Sequence, residues 1–160
     1  MTTPPESPHP LGADAPKQDF VGLAAGAMGL GITVGTAAIA VTTWTVRTLQ
    51  VHLPPGSEPG LGLPGTVLLG GTLAALAATW GVVWVTLAPV RSPYRQGGLA
   101  MATVFATFLV AIIGTFVADN WFGRGALLAL AGLAVAGAWG AGRKVGRERQ
   151  ALAAGERGGG

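Results

Sequence analysis

The chain has 160 residues, enough for one domain; half of them are hydrophobic, 11% are charged, and the formal net charge is +3. A soluble domain carries about 25% charged residues, so a water-soluble fold of this composition would expose large apolar patches. There is no cysteine, which excludes disulfides, thiol chemistry and Cys-ligated metals.

The first 19 residues, MTTPPESPHPLGADAPKQD, hold prolines at 4, 5, 8, 10 and 16. That density precludes a regular helix and predicts a disordered tail. Four uncharged stretches follow: Phe20–Val46, the segment between Glu58 and Arg91, Gly97–Ala118, and Gly125–Gly142. Roughly 20 apolar residues cross a hydrocarbon core of ~30 Å. The spans are therefore expected at about 20–45, 64–89, 97–118 and 125–142. Pro64 suits the first turn of the second helix. The fourth stretch is the shortest, and its flanking Arg124 and Arg143 can extend along it towards water. Helices apolar on every side are buried or membrane-spanning, and four in so short a chain predict an integral membrane protein.

Short connections at 91–96 and 119–124 force neighbouring helices antiparallel. The expected fold is all-α, an up-down bundle of four transmembrane helices (residues 20–142) with a short basic tail at 143–160. Lys17, Arg91, Arg95, Arg143, Lys144, Arg147, Arg149 and Arg157 fall on one side of such a bundle, and Arg47 and Arg124 on the other. The positive-inside rule places the first set, and both ends, in the cytoplasm of a cell membrane. The five tryptophans sit near helix ends or in a turn, where amphipathic rings favour the headgroup level. Ala38-Ile39-Ala40 resembles a signal-peptidase site, but the apolar run exceeds an h-region of about 7–15 residues. An uncleaved anchor is expected.

Small residues recur four apart. Gly31 and Gly35 mark the first span, Ala102 and Ala106 the third, and Gly132, Ala136 and Gly140 the fourth. In lipid, close backbone approach supplies attraction that hydrophobicity cannot. The stripe admits a seam for a membrane-protein partner or a second copy. It also admits ordinary packing within the chain, the expected role in an Ala/Gly-rich sequence. Thr72, Thr79 and Thr86 share a face of the second helix, and Thr103 and Thr107 of the third; such hydroxyls line a polar path or, more commonly, bond back to a carbonyl one turn earlier. The similar segments GTAAIAVTTW and GTLAALAATW at 35–44 and 71–80 are too simple in composition to establish a duplication. Asp119 and Arg124 flank the turn DNWFGR, close enough along the chain to pair across it, and read as turn and interface chemistry rather than a site. Arg143, Lys144, Arg147 and Arg149 form a basic cluster suited to anionic lipid, at about 1 kcal/mol per charge.

No Asp, Glu, Lys, Arg or His lies within a span. Such groups mark proton relays and ion-coupled transport, and a small four-helix exporter would carry a carboxylate in its first helix. No histidine is placed to ligate haem, and no nucleophile–base pair or metal cluster converges. Neither enzymatic activity, nor a cofactor, nor nucleic-acid binding is expected. The lipid bilayer is the expected environment. Two functions remain: a non-catalytic accessory or scaffold subunit packing through its small-residue faces, and a small permeation protein, namely a pore, a holin-like lesion former or a neutral-solute carrier.

Overall fold

The computed structural model describes residues 17–52, 62–89 and 92–158. Residues 1–16 of the expected 1–19 tail and most of the expected 47–60 loop lie outside the described residues, while 17–19, placed in that tail, already belong to the first helix. Four α-helices make up the fold: α1 (Lys17–His52), α2 (Gly62–Thr86), α3 (Pro93–Val117) and α4 (Arg124–Gly158). A π-helical turn, Ala118–Phe122, prolongs α3. All four helices are long and apolar enough to cross a membrane.

Three of the helices run past their uncharged stretches, whereas α2 (Gly62–Thr86) lies inside its own and stops three residues before the expected end at 89, the chain turning at 87–89. α1 starts at Lys17 and continues through Arg47 to His52, and α4 passes Arg143 and ends at Gly158. Charged and long polar side chains are good helix formers, so they mark where a helix leaves an apolar environment rather than where it stops. Pro93 opens α3 after Ser92, four residues before the expected start, because a proline in the first turn forfeits no helical hydrogen bond. At the other end of α3, Gly123 takes φ +78°, a conformation that costs glycine nothing, and α4 begins at the next residue.

Neighbouring helices alternate in direction. Gly31 and Gly35 of α1 face Val83 and Thr79 of the antiparallel α2, and Thr103 and Thr107 of the parallel α3. Gly22, Gly26 and Gly29 face Glu148, Val145 and Ala141 of the antiparallel α4. α1 therefore packs on all three other helices. Half of its most apolar window is buried, against 17%, 28% and 17% for the other three in order, so the fold is built around its first helix. Glycines on two sides of α1 permit this, since each admits a neighbouring helix to near-backbone contact.

The core has two parts. Leu23, Ala27, Val83, Leu87, Ala100 and Val145 bring all four helices together at one end, hereafter the Arg149 end. Ile39, Ala75 and Ala111 join only α1, α2 and α3 towards the other, the Arg47 end.

Candidate functional site: an interhelical cavity and the layers that bound it

Midway along the bundle, Thr79, Thr103 and Thr107 are fully buried against Gly31 and Gly35. Each hydroxyl bonds back along its own helix: Thr79 to the Ala75 carbonyl at 2.9 Å, Thr103 to Leu99 at 2.7 Å, and Thr107 to Thr103 at 2.7 Å. Thr86 and Thr115 do the same to Val82 and Ala111. Thr79 Oγ1 also lies 3.4 Å from the Gly31 carbonyl, one polar contact between helices. The methyl groups, not the hydroxyls, meet the glycines at Thr103 and Thr107. This layer is close packing.

Towards the Arg47 end, α1 changes from Gly31 and Gly35 to Ile39 and Thr43. Branched residues now stand where glycines admitted the neighbours, and a cavity of about 450 Å³ opens between α1, α2 and α3. α1 contributes Ile39 and Thr43, and α2 Leu68 and Thr72. α3 adds Phe108, Ile112, Thr115 and Phe116. Thr43 and Thr115 spend their hydroxyls on the Ile39 and Ala111 carbonyls at 2.9 and 2.6 Å, so their contribution to the wall is largely apolar.

Arg47, Asp119 and Asn120 add charged and polar groups to this lining. Arg47 donates from Nε to Asp119 Oδ2 at 2.7 Å, and its Nη2 reaches the same oxygen. Asp119 thus pairs with Arg47 on α1 rather than across its own turn with Arg124. The parallel register of α1 and α3, which sets Gly31 by Thr103 and Gly35 by Thr107, brings Asp119 level with Arg47 and opposite it. The π turn holds the carboxylate there, its side chain only 14% exposed against 48% for Arg47. A double-mutant cycle with Arg47→Gln and Asp119→Asn should give a coupling of about 1 kcal/mol, reduced by added salt because the arginine is half in solvent. Additive single-mutant losses in denaturant unfolding would show the pair to be uncoupled.

The Arg149 end is knit by side chains that reach the last carbonyls of α2 and the turn after it. Gln96 Nε2 donates to the Leu87 carbonyl at 3.0 Å. Arg149 Nη2 donates to Val85 and Thr86 at 2.6 and 2.9 Å. Within the expected lipid-facing cluster, Arg149 is thus turned inward to α2. Arg143 lies over the Trp139 ring, 3.5 Å from its centroid, while Arg143, Lys144 and Arg147 are exposed. Nothing in the sequence around Arg149 signals this role, since its acceptors lie 63 and 64 residues away.

The small-residue stripes separate in the same way. Gly31 and Gly35 are buried in the bundle, whereas Ala102 is exposed and Ala106 half-buried. α3 instead turns Gln96, Ala100, Thr103, Thr107, Ala111 and Thr115 inward. Gly132, Ala136 and Gly140 are exposed, and no atom lies within 4 Å of a Cβ built on either glycine. No protein-family model matches the chain, and no curated protein or solved structure is detectably similar to it.

Proposed function

We propose that the chain is an integral membrane protein that crosses the bilayer four times, with both ends in the cytoplasm, and serves as a non-catalytic accessory or scaffold subunit. The observation that carries this reading is the close-packed layer at mid-bundle. Gly31 and Gly35 meet Thr79, Thr103 and Thr107, and every one of those hydroxyls is satisfied on its own helix. A path for a polar solute needs polar groups free to exchange partners along its length; the hydroxyls facing Gly31 and Gly35 are all engaged, and among the described residues the Thr36 hydroxyl alone is buried without a partner, which favours packing over permeation. The exposed Gly132, Ala136 and Gly140 on α4 leave a shallow helix face of the kind that helix–helix association in lipid uses.

The absence of cysteine makes topology directly testable. Single cysteines at Thr3 and at Gly159 should be protected from a membrane-impermeant maleimide in intact cells, and one at Ser57 labelled. Extraction in mild detergent should recover the chain with a partner membrane protein or a second copy, and Gly132→Leu or Gly140→Leu should reduce that recovery while leaving the monomer folded. Recovery of the monomer alone from several detergents, together with saturable solute flux in liposomes, would replace this reading with the permeation one.

A further inference from the structure

We propose that the cavity at the Arg47 end is a binding site for one phospholipid with a zwitterionic headgroup. An acyl chain would lie along the wall formed by Ile39, Leu68, Phe108 and Ile112, and the headgroup at Arg47 and Asp119. The inference rests on the membrane-spanning reading above.

Three observations carry it. The first is the cavity itself. About 450 Å³ falls within the ~300–1,000 Å³ of pockets that hold small molecules. Leu68, Phe108, Ile112 and Phe116 remain 38–65% exposed, so the space opens sideways between α2 and α3, the direction in which lipid surrounds a spanning bundle. Apolar walls on three helices at this separation gain dispersion contacts from a hydrocarbon chain laid between them.

The second is the gradient of polarity. The apolar wall runs into a charged mouth at one end only, the pattern of an amphiphile rather than of a wholly apolar ligand. Within the lining, the Thr72 hydroxyl and the Asn120 carboxamide have no hydrogen-bond partner among the described residues. They differ in this from Thr43 and Thr115, which bond back along their helices, and they can receive the ester or glycerol oxygens.

The third is the charge at the mouth. Both contacts of Arg47 fall on Oδ2 of Asp119, which leaves Oδ1 able to accept from an ammonium group. Arg47 Nη1 reaches only Gln50, at a long 3.5 Å, so this nitrogen, with the donors a guanidinium carries there, remains for a phosphate. A headgroup with both a phosphate and an ammonium matches both halves of the pair. An anionic headgroup without the ammonium would leave Asp119 Oδ1 without a donor.

The test uses the full chain, extracted from membranes and exchanged into detergent containing equal amounts of phosphatidylethanolamine, phosphatidylglycerol and diacylglycerol, with bound lipid counted by native mass spectrometry. The expected result is one phosphatidylethanolamine retained per chain, about tenfold over phosphatidylglycerol. Ile112→Trp, which fills the cavity from an already exposed position, should abolish retention. Asp119→Asn, which leaves the cavity open, should keep lipid bound but erase the preference for the amine. Equal retention by wild type and Ile112→Trp, equal retention of the two phospholipids by wild type, or no retained lipid would each overturn the proposal. Recovery of the chain in the alkali-resistant membrane fraction is measured first; if it fails there, the spanning reading is at fault and not the cavity assignment.

Discussion

Gly35→Ala is expected to destabilise the bundle by about 1–3 kcal/mol relative to Gly132→Ala, measured as the difference in unfolding free energy in mixed detergent micelles. A Cβ at Gly35 would stand less than 3.0 Å from both Thr79 Oγ1 on α2 and Thr107 Cγ2 on α3. The two obstacles belong to different helices, so a shift away from one closes on the other. Neither threonine can rotate away cheaply, because β-branched side chains in helices have few χ1 states and each hydroxyl is held by a carbonyl on its own helix. At Gly132 no atom lies within 4 Å of the added methyl, and the substitution yields only the helix-propensity gain of up to about 1 kcal/mol. That gain also applies at Gly35, where it partly masks the clash, which is why the paired comparison is the informative one. Equal stability of the two variants would mean that α2 and α3 do not close on α1 at this layer.

Arg149→Ala is expected to cost about 1.5–3 kcal/mol, with the lower end favoured because the side chain is only partly buried. Nη2 serves two carbonyls near the end of α2, Val85 and Thr86. Those carbonyls lie in the last turn of α2, where regular i+4 donors run out; Val85 O also accepts from Ala88 N–H, at a long 3.3 Å, and a cation beside them meets the negative end of the helix dipole. Arg149→Lys should recover part of the loss, since an ammonium supplies the charge but not the planar fork. Arg147→Ala, two residues away and exposed, is the control and should be near neutral. Amide exchange around Val83–Leu87 should quicken in Arg149→Ala and stay unchanged in Arg147→Ala. If both variants behave alike, Arg149 is a surface charge like its neighbours.

These two sites differ in how far they could be read from sequence. The four helices were legible because hydrocarbon-compatible stretches are long and uninterrupted, although their ends were not, since Lys17, Arg47 and Arg143 are compatible with helix. The four-residue spacing of Gly31 and Gly35 announced a close contact but not its partners. The same spacing at Ala102 and Ala106 falls on a less buried face, because the phase of α3 is set by Ala100, Thr103 and Thr107 facing α1 and α2. Spacing identifies a face, and only the neighbours determine which face is covered. Proximity along the chain offers Arg124 as a partner for Asp119. Its actual partner could have been found from topology, because the first and third helices run parallel and Arg47 and Asp119 end corresponding stretches. The cavity had no local signature at all. It arises where α1 stops presenting glycine, and the absence of close packing becomes visible only when three helices are compared at one level.

The placement of α1 at the centre has a consequence for how the protein is made. Chains are synthesised from the amino end, so among these four helices the most buried, α1, emerges before the others, and its Gly22, Gly26 and Gly29 side is covered by α4, which emerges after α2 and α3. Order of emergence and order of burial run opposite to each other. Between the two events, a nascent chain presents an open glycine groove to whatever helix is nearby, which makes a ribosome-bound intermediate ending before α4 the species most exposed to capture by a foreign helix.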